Sequence, residues 1–270
     1  MTDSITRRRA LQRGLQAVLG AAFWSRSAPH AEAAQSGWPF RAAYGPFQCV
    51  SEAPLDRIDP MFRELSLLEQ QLIRTLGLPP SQRPVEVALF ANEESHRRYL
   101  SRVYPRVPYR RALYVQRGGR GAVFAYFHAQ LADDLRHECT HALLHAKLPM
   151  VPLWLDEGLA EYFEVAPNLR ARNNPHLARL RWDLFFGLQH SVENLERQHE
   201  LSDMGAAEYR FSWAWTHFML HGPPVAHEQL VLYLADIRQG NPPGMLSERL
   251  HRCIPNLDAQ LAQHFKTWKA

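Results

Sequence analysis

The sequence predicts an α+β domain, with a small N-terminal mixed sheet containing a hairpin and then a mostly helical half. Three observations carry that expectation. Strand-like runs rich in β-formers stop before residue 130. Every strong hydrophobic period after that point is helical. A chain of 270 residues, 46% of them apolar, suffices for one generous core, so a single domain is expected over 34–270.

The elements follow in order. Residues 35–59 are punctuated by Pro, Gly and Ala and hold one strand near 47–50. Asp59-Pro60 opens a helix, because Asp can cap free N–H groups and Pro is tolerated in the first turn. Its stripe of Phe62, Leu65, Leu68, Leu72, Ile73 and Leu76 runs unbroken to Gly77. A strand over 85–90 follows the Pro-rich stretch 79–84, and Asn92 caps a helix over about 93–103. Runs at 112–116 and 122–127 flank Arg117-Gly118-Gly119-Arg120-Gly121 and read as a hairpin. Helices are expected near 131–147, 153–165, 175–189, 206–221, 226–239, 247–253 and 257–268, with start signals at Asn174-Pro175, Ser247 and Asn256 and stops at Gly222 and Gly240.

Charge and composition exclude several classes. Lys and Arg number 31 against 27 acids, but Arg7, Arg8, Arg9, Arg13 and Arg26 all precede residue 34, where the only acids are Asp3 and Glu32. The remainder is nearly balanced, so no nucleic-acid partner is expected. No apolar run is long enough for a membrane span. Cys49, Cys139 and Cys253 are too few for a disulfide scaffold and show no Cys-x-x-Cys spacing.

Residues 1–33 read as an export signal, with a basic start, an apolar stretch from Gly14 to Trp24 and a small-x-small cleavage site at Ala31-Glu32-Ala33. Thr6-Arg7-Arg8-Arg9-Ala10-Leu11-Gln12 resembles the twin-arginine consensus, departing from it at Ala10 and Gln12. The expected location is periplasmic or extracellular, an oxidising setting that would permit a Cys49–Cys253 disulfide.

The chemistry starts at His137-Glu138-Cys139-Thr140-His141. On a helix, a spacing of four residues sets two imidazoles on nearly one face, where they can share one zinc ion. Glu138 lies beside that face, where its carboxylate can take a proton from a metal-activated water. His145 is eight residues from His137, about 12 Å along the axis, too far to share that ion. Cys139 points away from the histidine face and reads as packing.

Sixteen residues after His141 stands Glu157, within Trp154-Leu155-Asp156-Glu157-Gly158-Leu159-Ala160-Glu161-Tyr162. With this stretch the chain resembles the gluzincin zinc peptidases, which include thermolysin and aminopeptidase N, and in particular the small peptidase-MA-like families of bacteria. The resemblance implies a thermolysin-like zincin fold and a catalytic Zn²⁺ held by His137, His141 and Glu157, with Glu138 as general base. It further implies that Glu161 orients a ligand histidine, that Tyr209 stabilises the oxyanion, and that the substrate is a peptide or protein. Pro149 and Pro152 break the first helix and let the second return antiparallel. The hairpin strand 121–126 lacks the Gly-x-Met-x-Asn stretch with which aminopeptidase N relatives hold a free amino group. A zinc hydrolase of a non-peptide amide or ester, and a non-catalytic module on the same fold, remain open at this point.

Other features have plainer readings. Strand 122–127 is expected at the sheet edge over the cleft, where it could hold an extended peptide. Trp213, Trp215, Phe218 and Met219 read as core, His217 and His221 as capping or packing, and Arg106, Arg110, Arg111, Arg117 and Arg120 as a solvated loop face. Oligomeric state is left open.

Overall fold

The computed structural model describes residues 37–269, so the export-signal reading of 1–33 lies outside the described residues. Strands β1 (Phe40–Tyr44) and β2 (Phe47–Ser51) form an antiparallel hairpin, and β3 (Val85–Phe90) runs parallel to β2. Strands β4 (Ala112–Arg117) and β5 (Arg120–Tyr126) form a second hairpin, in which β5 is parallel to β3. Gly118 and Gly119, at φ 57° and 73°, supply the two left-handed residues that a tight two-residue hairpin loop requires. The order β1-β2-β3-β5-β4 makes β4 an edge strand and β5 an interior one. The expectation that 122–127 forms the edge is therefore corrected: β5 is paired on both sides, and its hairpin partner faces the cleft.

The period of two along the central strands divides the interior. Val85, Val87 and Leu89 of β3, with Val123 and Ala125 of β5, enter the larger core; Ala88, Phe90, Phe124 and Tyr126 enter a smaller one beneath α3 (Glu93–Val103). Helices α1 (Asp59–Leu65), α2 (Leu68–Leu76), α4 (Leu131–His145), α5 (Leu153–Phe163), α6 (Leu177–Phe185), α7 (Val192–Glu196), α8 (Ala206–His221), α9 (Pro224–Gln239), α10 (Leu246–Cys253) and α11 (Leu257–Thr267), with short 3-10 turns at Asp56–Ile58 and Leu201–Asp203, complete the described chain. The whole is an α+β architecture, a five-stranded mixed sheet followed by a mostly helical half.

Helix α4 packs on β4 and β5, and α5 packs between α4 and α8. Gly158 permits the second contact. A Cβ there would stand 2.4 Å from both the Ser212 carbonyl oxygen and Thr216 Oγ1, closer than atoms can approach. Trp213, Trp215, Phe218 and Met219 of α8 are buried, as the period predicted.

The sequence reading differs from the structure at several places. The stripe from Phe62 to Leu76 is split into α1 and α2 at Ser66-Leu67, where the Ser66 hydroxyl donates to the Arg63 carbonyl at 2.7 Å. Asp59 does not cap; its carboxylate sits 2.5 Å from Arg63 Nε, one turn on. Strand β1 and helix α7 were not anticipated. All three cysteines are free, with Cys49 buried in β2 and Cys253 exposed at the end of α10, so the Cys49–Cys253 bridge is absent. Among the described residues, no helix is long and apolar enough to cross a membrane.

Candidate metal centre

Helix α4 carries His137, Glu138 and His141, and α5 carries Asp156, Glu157 and Glu161. Pro152 stands at the N-cap of α5, at the end of the short connection that turns the chain back. His137 Nε2 and His141 Nε2 are 3.2 Å apart, and Glu157 Oε2 lies 3.6 Å from the first and 3.8 Å from the second. A tetrahedral ion with bonds of 2.0–2.1 Å separates its ligand atoms by about 3.3 Å, so the three atoms fit one zinc-sized cation.

The outer nitrogens sharpen that fit. His137 Nδ1 is 3.1 Å from Glu164 Oε2, and His141 Nδ1 is 3.0 Å from Asp156 Oδ2. Carboxylates on both Nδ1 atoms favour the tautomers protonated there. Both Nε2 lone pairs then face each other and the Glu157 carboxylate, an arrangement that is repulsive unless a cation lies between them. A proton can serve in part. Burial opposes the charged imidazolium of His137, yet hydrogen bonds to Glu157 and Glu164 hold its pKa well above the ordinary value. Burial likewise opposes that of His141, and the charges of Asp156 and Glu157 raise it.

Asp156 Oδ2 also lies 2.9 Å from His145 Nε2, so one oxygen joins His141 and His145. Despite burial, the charges of those two histidines hold the Asp156 carboxyl well below the usual carboxylate range. The Tyr114 ring stacks over both imidazoles, with centroids 5.8 Å from His145 and 6.5 Å from His141. His145 thus stands outside the His137–His141–Glu157 cluster, in keeping with its spacing, but it props the aspartate that meets His141 Nδ1.

Glu138 Oε2 accepts the Tyr114 backbone N–H at 2.7 Å, which ties the expected general base to the edge strand. Glu138, His137 and Glu157 line one cleft, together with Ala112 of the edge strand. Tyr209, in the first turn of α8, lines the same cleft. Burial, then the nearby Glu157 charge, pushes its hydroxyl far above the ordinary range, so it stays a neutral donor.

Glu161 keeps a carboxylate oxygen within 4.8 Å of the ligand atoms of His137 and Glu164. Its Oε2 meets the buried His176 Nε2 at 2.8 Å, whereas Asp156 and Glu164 serve the motif histidines. A helical offset explains this: Asp156 adjoins Glu157, and Glu164 lies seven residues, nearly two turns, beyond it. Arg110 and Arg111 are corrected, from a solvated loop face to the cleft wall. The adjacency of Asp156 to Glu157, and of both arginines to the strand at 112, were the available signals. Compared with known proteins, the chain matches no family model and no curated sequence.

Proposed function

We propose that this protein is a zinc-dependent peptidase of the gluzincin type, on a thermolysin-like domain, that hydrolyses peptide bonds with Glu138 as general base. The observation that carries the reading is the convergence of His137 Nε2, His141 Nε2 and Glu157 Oε2 within 3.2–3.8 Å, with carboxylates behind both imidazoles. These residues would hold the zinc, whose chemistry when bound is that of a Lewis acid that polarises a carbonyl and acidifies water. Glu138 accepts the proton of the attacking water and passes it to the departing amine. The Tyr114 N–H holds the Glu138 carboxylate in place for that transfer. Tyr209 donates its hydroxyl to the oxygen on which negative charge develops. The edge strand β4 beside Glu138 favours an extended peptide over a compact amide or ester, because its outer edge can pair with a chain.

Replacing Glu138 with Gln keeps the shape but removes the proton acceptor. Measured on a broad peptide library, Glu138→Gln is expected to retain zinc and lose turnover by several orders of magnitude. Undiminished turnover would remove Glu138 from the mechanism. Failure of the wild type to cleave any peptide would return the chain to the non-peptide or binding-module readings.

A further inference from the structure

The wall of the cleft carries a positive group that the peptidase chemistry does not use. Arg110 and Arg111 immediately precede β4, and both line the cleft with His137, Glu138, Glu157 and Tyr209. Arg111 is built into the wall, donating to Gln130 Oε1 at 3.1 Å and to Asp134 Oδ1 at 2.9 Å at the start of α4. Arg110 shares the cleft lining with Tyr209. Three acids of the cleft already hold internal cations or imidazoles: Asp134 meets Arg111 at 2.9 Å, Glu161 meets His176 at 2.8 Å and Glu164 meets His137 at 3.1 Å. They are therefore poor receptors for a cationic substrate.

The place of Arg110 just ahead of β4 sets its range. Tyr114, whose N–H contacts Glu138, is four residues from Arg110, at most about 13 Å of backbone with a bend at Arg111. A chain lying along the outer edge of β4 with its reacting bond at Glu138 passes Arg110 within a few residues of that bond. A guanidinium carries five N–H donors in a planar fork, so it can hold a carboxylate in addition to partners in the wall.

We propose that Arg110 is a specificity residue that binds a substrate carboxylate, so that the enzyme prefers peptides with such a group within a few residues of the scissile bond. Either an Asp or Glu side chain or a free C-terminus supplies this chemistry. The proposal rests on the peptidase reading, and the experiment separates the two.

Zinc-loaded Glu138→Gln protein is titrated by calorimetry with three hexapeptides of one parent sequence: a neutral peptide blocked at both ends, the same peptide with one Glu, and the same peptide with a free C-terminus. At least one carboxylate peptide is expected to bind about tenfold more tightly than the neutral one, the scale of a charge-assisted hydrogen bond. Which of the two gains identifies the source of the carboxylate. Adding Arg110→Gln should abolish the preference, and Arg110→Lys should restore part of it. Zinc content verifies that each variant has folded. Equal binding of all three peptides, binding of none at millimolar concentration, or a preference that survives Arg110→Gln overturns the assignment. Cleavage assays of the wild type and Arg110→Gln supply a second readout. An equal fall in kcat for neutral and carboxylate peptides would make Arg110 an oxyanion donor instead, and so contradict the proposal. If the wild type cleaves nothing while carboxylate-dependent binding persists, the peptidase reading falls and Arg110 stands.

Discussion

Of the histidine pairs spaced four residues apart on helices, His137/His141 on α4 and His217/His221 on α8 have surroundings opposite in charge. The first pair has a carboxylate behind each ring and a third between them. The second has neutral partners: His217 meets His264 Nε2 at 3.0 Å and the Ala171 carbonyl at 2.9 Å, and His221 meets the Tyr162 hydroxyl at 2.7 Å. Burial pushes His217 down to about 3 and His264 down to about 4, whereas the motif pair is raised. Spacing alone therefore does not make a cation site. What distinguishes the two is the acids that α5 and the residue after it place against the first pair, whereas the partners of His217 and His221 are imidazole, carbonyl and phenol groups.

Helix α8 spans both settings, because Tyr209 at its start faces the cleft and His217 near its end lies in the apolar core. The largest contrast along it should come from Tyr209→Phe, which removes one hydroxyl. Turnover is expected to fall about 10²–10³-fold, while zinc content and folding persist. Steady-state kinetics on a cleaved peptide would check this, and a loss below about threefold would return Tyr209 to packing. A smaller effect is expected behind the proposed metal ligands. Asp156→Asn keeps the size but weakens the hold on His141 Nδ1, and zinc affinity should drop about 10–100-fold in a competitive chelator titration. His221→Gln should leave that affinity unchanged. Equal responses would erase the distinction between the two histidine pairs.

The smallest effect concerns pH. An unfolded chain protonates its histidines near pH 6.5, while folded His217 resists protonation down to about 3 and His264 down to about 4. Between those limits the unfolded state binds more protons, so stability present above about pH 6.5 is lost as the pH falls. His217, fully buried, contributes up to about 1.4 kcal/mol per pH unit, and half-buried His264 contributes less. The raised motif pair has the reverse slope in metal-free protein, with stability present below the unfolded value and lost as pH rises through the folded one. Urea unfolding of zinc-loaded protein at pH 7 and pH 5 should show the loss on acidification, reduced in His217→Gln. Identical pH dependence in the two proteins would contradict this part.

Parts of this arrangement were legible in the sequence because they are local. His137, Glu138 and His141 occupy one turn, and the Asn92 cap and the Gly118-Gly119 loop are decided by neighbouring residues, as the 3.0 Å bond from Ser95 N–H to Asn92 Oδ1 illustrates. Strand β1 escaped notice because Phe40–Tyr44 alternates only between half-buried and exposed positions, with no strong apolar face. The break at Ser66 left the apolar stripe intact and so left no periodic trace. The service of Asp156 and Glu164 to the histidines, and the place of Arg110 in the cleft wall, depend on how α4, α5 and β4 meet. That meeting is set by long-range packing, including the close approach at Gly158.

The central claim is that carboxylate-backed histidines, and not histidine spacing, create the cation site. Zinc stoichiometry and affinity, measured side by side on wild type, His141→Ala and His221→Ala, test it most directly. One zinc per chain is expected in wild type and in His221→Ala, falling to a small fraction in His141→Ala. Equal zinc in His141→Ala and wild type, or loss of zinc in His221→Ala with the fold intact, would contradict it.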